Sequence, residues 1–185
     1  MQQRNIHIIT TGGTIEKFYN ESTGTLSNGA TLIEDFIDRE LRLINTKLHI
    51  HSIMNKDSLD MNEMDRKKIY RYIDLMMEDR IPIIIIHGTD TMVQTACYSK
   101  KNLIEPVAPV IFTGAMRPIG MQRSDAKQNL AEALMVSQLL SPGVYLSFHN
   151  KIFAPERTRK NYQTNTFEDI CDQDAKESSS PFRPC

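Results

Sequence analysis

The sequence predicts an α/β fold: a mostly parallel sheet with helices on both faces, of flavodoxin- or Rossmann-like type. Three observations predict it. Short apolar, β-branched runs recur along the chain, segments with helical spacing lie between them, and turns rich in glycine and hydroxyls follow the runs. Alternation of this kind packs helices against a parallel sheet, and ligands then sit beyond the carboxyl ends of its strands.

Each element follows in order. Ile6 to Ile9 is short enough to be a buried strand and ends in "TTGGT". Leu32, Phe36 and Ile37 then take helical spacing, and "LHIHSI", Leu48 to Ile53, alternates as a strand before the polar loop "NKDSLDMN". Ile69, Ile73 and Met76 mark a second helix, whose charged stretch "EMDRKK" suits a solvated face. Ile83 to Ile86 is the third strand, and "HGTDT" after it opens a helix. Val110 to Phe112 leads into "TGAMRP", Leu130, Leu134 and Val136 mark a further helix, and Val144 to Leu146 is the last strand. Three hydroxyl and glycine turns thus converge on one edge.

The chain of 185 residues suits one domain over 1–171. Residues 172–185, polar, serine-rich and broken by prolines, are expected to be a disordered tail. Hydrophobic residues at 40% and charged residues at 24% support a packed core. A net charge of −1 gives no global case for nucleic acid or anionic lipid, and "KIFAPERTRK" at 151–160 is the one basic run. The longest apolar run, Ile81 to Ile86, contains Pro82 and is too short to span a bilayer. No membrane partner is expected. The N-terminus lacks a secretory layout, and Cys97, Cys171 and Cys185 are odd in number without C-x-x-C spacing. Neither a disulfide framework nor a zinc site is signalled, and a cytoplasmic location is expected.

The motifs have bland readings too. A glycine pair after a strand permits a tight turn and nothing more. Nucleotide binding is disfavoured, because "TTGGT" lacks both G-x-G-x-x-G and the phosphate-loop lysine. In "HGTDT", Thr91 can serve as a helix N-cap, but Thr89 and Asp90 are then unexplained at a helix start, where backbone donors can hold an oxyanion. His49 and His51 share a strand face without a third ligand, so no metal is expected. His7 and His87 suit packed or hydrogen-bonded roles.

Taken together, "TTGGTIE", "NKDSLDMN", "HGTDTM", "TGAMRP" and "SDAKQNL" resemble, in order and spacing, the bacterial-type L-asparaginases and asparaginase/glutaminases over most of residues 5–165. The resemblance implies the N-terminal domain fold of that family and an amidohydrolase that forms L-aspartate and ammonia from L-asparagine, with possible glutaminase activity. It implies a nucleophilic threonine at Thr14, a second catalytic threonine at Thr89 with its aspartate Asp90, and a catalytic lysine at Lys160 in "RTRK". Ser58 and Asp90 would hold the substrate's α-carboxylate and α-amino groups. Gly13 and Gly88 would belong to the binding turns, and Ala115 would lie near the substrate's side-chain amide. No cofactor is implied; the partner is a small amino-acid amide, and a homo-oligomer, dimer or tetramer, is suggested.

The sequence departs from the family pattern in three places. The tyrosine that assists the nucleophile would have to be Tyr19, closer to Thr14 than usual, and Ala126 and Lys127 replace glycine and proline. The chain also stops before the second domain that in longer members helps build a neighbour's site. An acidic contact to the substrate ammonium would then come from Asp57 or Asp60 beside Ser58. The competing reading is a catalytically weak amino-acid binding module that retains the same pocket.

Overall fold

The computed structural model describes residues 3–22, 24–28 and 32–170, so the expected tail lies outside the described residues. Strand β1 (Arg4–Thr10) is followed by a hairpin of β2 (Lys17–Asn20) and β3 (Thr25–Asn28), then α1 (Leu32–Glu40) and β4 (Thr46–Ser52). Helix α2 (Glu63–Met76), β5 (Ile83–Ile86), α3 (Met92–Asn102), β6 (Pro109–Thr113) and α4 (Ala126–Val136) alternate through the middle. The chain then runs through β7 (Gly143–Phe148), β8 (Lys151–Phe153), β9 (Thr158–Asn161) and β10 (Thr166–Asp169).

The main sheet has the order β4-β1-β5-β6-β7-β8. All pairings are parallel except β7 with β8. Without β8 this is the 2-1-3-4-5 order of flavodoxin-like sheets, which decides between the two expected types. The order reverses at β1, which pairs with β4 on one side and β5 on the other.

Burial on both faces explains the isoleucine run of β5, whose four residues are all fully buried. Ile83 and Ile85 pack in a cluster with Ile69 and Ile73 of α2 and Ala96 of α3. Ile84 and Ile86 pack with Ile33 and Ile37 of α1 and Leu130 of α4. Helices therefore cover both faces, and each such side chain contributes about 1.5–3 kcal/mol. A capping box starts α2: Asn62 accepts from the Asp65 amide at 3.1 Å, while the Asp65 carboxylate accepts from the Asn62 amide at 3.0 Å.

Some expectations change. Thr91 stands at the N-cap of α3 but its side chain does not cap; its hydroxyl donates to the Ser58 carbonyl at 2.7 Å. Cys97 on α3 is disulfide-bonded, a bond that the cysteine count and spacing did not signal. The basic run is paired rather than bare, with Lys151 on Asp169 at 2.6 Å and Arg159 on Glu168 at 2.7 Å. His7 is hydrogen-bonded, to His51 at 3.1 Å and Asp79 at 2.8 Å.

Candidate active site

The turn after β1 is built by main-chain contacts. Thr11 donates its amide to the Ile86 carbonyl at 3.1 Å and its hydroxyl to the same oxygen at 2.9 Å. The Lys56 amide donates to the Thr11 carbonyl at 3.0 Å. Gly12 and Gly13 have φ of +92° and +91°, and a Cβ on either would strike backbone, at 2.5 Å from Lys56 N and 2.4 Å from Gly88 Cα respectively. Both glycines are therefore required twice, by conformation and by space. They bring the turns after β1, β4 and β5 into direct contact and deliver Thr14 at the start of a one-turn 3₁₀ helix, Thr14–Glu16.

Strand order reverses between β1 and β5, and the turns that follow these two strands meet at the carboxyl edge. A cavity of about 430 Å³ lies there, lined by Thr14, Thr89, Asp90 and Lys160. The Lys160 Nζ donates to Thr89 Oγ1 at 2.7 Å and to Asp90 Oδ1 at 2.8 Å. Alternation along β9 explains the direction: Arg159 is exposed and pairs with Glu168, whereas the Lys160 side chain is only 12% exposed. The Tyr162 ring lies 5.0 Å from the Lys160 Nζ. Burial raises the Tyr162 pKa, and the Asp90 carboxylate, which its hydroxyl also hydrogen-bonds, raises it further.

The remaining expected residues divide. Ser58 is fully buried and is not among the cavity's lining residues; its Oγ has no hydrogen-bond partner among the described residues, and a Cβ at Gly88 would lie 2.6 Å from that oxygen. Gly13 and Gly88 form the contact between the two turns, and Ala115 is buried in the turn after β6. Asp57 is engaged elsewhere: it accepts from the Leu59 amide at 3.1 Å and pairs with Lys17 at 2.5 Å. The Lys17 hydrogen bond holds its pKa below the usual carboxylate range. Asp60 is exposed, and Tyr19 on β2 is 59% exposed; neither is among the cavity's lining residues.

Asp125, His149, Arg117 and Arg123 line the cavity without having been expected. Asp125 accepts from the Met116 and Arg117 amides at 2.9 and 3.0 Å, from Asn129 Nδ2 at 3.0 Å, and contacts His149 Nε2 at 2.9 Å. The other His149 nitrogen contacts Thr166 Oγ1 at 2.9 Å. One carboxylate thus ties the turn after β6 to α4, the β7–β8 turn and β10. "SDAKQNL" was the available signal, since its aspartate stands at the start of α4. Among the described residues no group of three or more His, Cys, Asp and Glu is arranged to hold a metal ion.

The family model described as Asparaginase, N-terminal, matches residues 5–178. The chain belongs to the asparaginase family. It is 32% identical to the L-asparaginase of Thermococcus kodakarensis over 167 residues, covering 88% of this chain and 50% of that protein. It is 33% identical to L-asparaginase 1 of Escherichia coli over 166 residues, covering 86% and 48% respectively. The solved structure of the Thermococcus kodakarensis enzyme superposes with a TM-score of 0.81 at 30% identity, over 89% of this chain and 51% of that one. The chain spans about half the length of these relatives. The expected fold, the N-terminal α/β domain of asparaginases, is the one found.

Proposed function

We propose that this member of the asparaginase family hydrolyses L-asparagine to L-aspartate and ammonia through a threonine nucleophile and an acyl-enzyme intermediate, with side activity on L-glutamine. The observation that carries the reading is Lys160, hydrogen-bonded to both Thr89 and Asp90 in a cavity that Thr14 also lines. A threonine hydroxyl is protonated at neutral pH and needs a proton acceptor to attack an amide. In the proposed reaction the Thr14 oxygen bonds to the side-chain carbonyl carbon, and its proton passes by way of Thr89 and Lys160 to the departing nitrogen. The C–N bond breaks and ammonia leaves. Water then attacks the ester, the acid is released, and Thr14 recovers its proton. Backbone N–H groups at the start of α3 are the proposed oxyanion donors, worth a few kcal/mol of barrier in comparable sites. The hydrolysis calls for no metal, nucleotide or prosthetic group.

The unpartnered, buried Ser58 Oγ supports a role in holding the substrate carboxylate, and Asp90 is proposed to pair with the ammonium. Asp57 and Asp60 stay secondary candidates for that acidic contact, and Tyr19 for assisting the nucleophile. Asparagine and glutamine differ by one methylene, worth only about 1–3 kcal/mol of discrimination. A homo-oligomer, a single domain over 1–171 and a cytoplasmic location belong to the same reading. Among the described residues no helix is long and apolar enough to cross a membrane.

Ammonia release from L-asparagine, L-glutamine and their D forms tests the proposal. Release from L-asparagine is expected, with half-saturation well above micromolar and sedimentation as an oligomer. Aspartate binding without ammonia release would instead mark a catalytically weak binding module.

A further inference from the structure

Glu16 is a carboxylic acid with only 3% of its surface exposed, two residues after Thr14. Its Oε2 accepts from the Gly12 amide at 2.8 Å, and its own amide donates to the Gly13 carbonyl at 3.1 Å. The residue therefore grips the glycine turn at both members, with Thr14 held between. Thr10, at the end of β1, also hydrogen-bonds the carboxyl group, and the Thr10 hydroxyl pairs in turn with Ser52 of β4 at 2.9 Å. A buried carboxyl is costly and persists where donors meet it. Here the donors come from the turn that carries the proposed nucleophile and from the strand that feeds it. The next residue, Lys17, turns away to Asp57 at 2.5 Å.

We propose that Glu16 is a positioning residue for the catalytic turn: its carboxylate braces the Gly12 amide and so fixes how Thr14 presents its hydroxyl to the cavity. This rests on the reading of Thr14 as nucleophile. Among the described residues, the Gly12 amide and the Thr10 hydroxyl are the donors that meet the group. Burial pushes its pKa up to about 7, while the Gly12 and Thr10 hydrogen bonds pull it down. The brace is a charge-assisted hydrogen bond above that pH and a weaker neutral one below it.

Glu16→Gln keeps the size and one acceptor oxygen but cannot ionise. At pH 8 the variant is expected to lose roughly 10-fold in kcat with KM within about 2-fold, because an interaction that orients the nucleophile acts on turnover rather than on substrate binding. The wild-type kcat is expected to fall on the acid side with an apparent pKa near 7, and the variant's profile is expected to be flat there. An unchanged kcat, or an acid limb retained in the variant, overturns the proposal. Amide NMR of the wild-type protein separates this from failure of the functional reading. The Gly12 and Thr14 amide resonances should titrate together near pH 7 whether or not ammonia is released. If they do not shift between about pH 5.5 and 8.5, Glu16 does not brace the turn; if they shift in a protein without turnover, the brace stands and the reading of Thr14 as nucleophile falls.

Discussion

Lys160 and Thr89, 71 residues apart in the chain, are joined by a hydrogen bond of 2.7 Å from the Lys160 Nζ to the Thr89 hydroxyl. Replacing the lysine tests whether that contact moves a proton. Lys160→Met and Lys160→Arg should each lower ammonia release by about 10²-fold or more, the usual scale for a lost acid–base group. Arginine keeps the charge but cannot give up its proton in a protein. Wild-type activity in the arginine variant would exclude a lysine base.

Thr14→Ala and Thr89→Val should remove nearly all turnover while the melting temperature moves by only a few degrees. Thr14 is half-buried and fills no core position, and valine nearly matches the shape of the buried Thr89. Ammonia assays beside thermal melts check both, and substantial residual activity in either variant would remove it from the mechanism.

Asp90→Asn should act chiefly on binding. Losing one charged hydrogen bond to the substrate ammonium, about 1.5–3 kcal/mol, should weaken aspartate affinity by about one to two decades. Calorimetric titration measures this, and an unchanged affinity would assign Asp90 to orienting Lys160 and Tyr162 alone.

Two buried groups set opposing pH dependences of stability. Glu16 is raised by burial from 4.5 to about 7, so the folded state holds its proton more tightly than the unfolded chain does. That stabilisation is fully present below pH 4.5 and is lost as pH rises through 7. His87, fully buried, is lowered by burial from 6.5 to about 4, so its contribution is present above 6.5 and lost as pH falls through 4. Each shift corresponds to a free energy on the order of 3 kcal/mol. Glu16→Gln removes only the first, and its melting temperature should gain several degrees relative to wild type on going from pH 5 to pH 8. Parallel pH dependences for the two proteins would contradict burial as the source of the Glu16 shift.

Strands buried on both faces were legible because such positions demand unbroken apolar runs, as at Ile83–Ile86, and α1, α2 and α4 showed their buried stripes. The short antiparallel pieces were not. "KFYN" in β2 and "TRKN" in β9 have no periodicity long enough to read, and their pairing depends on turns and contacts elsewhere. Thr14, Thr89, Asp90 and Lys160 could be singled out because their motifs are distinctive, and all four line one cavity. Asp125 and His149 were missed because their role exists only in a network linking four separate segments. Nothing in "NKDSLDMN" shows that Lys17, at the start of β2, meets Asp57.

The parallel order of the sheet has a kinetic consequence. Thr11, just after β1, reaches the Ile86 carbonyl of β5 across 75 residues, and Lys160 reaches Thr89 across 71. Contacts this distant require long loops to close before they return any free energy, so such topologies fold slowly. Lys160 also rides on a separate two-stranded ribbon, β9 with β10, that docks beside the main sheet. During refolding, helical signal should therefore recover first and the Lys160–Thr89 contact last, making recovery of the proposed turnover a stricter gauge of nativeness than recovered secondary structure.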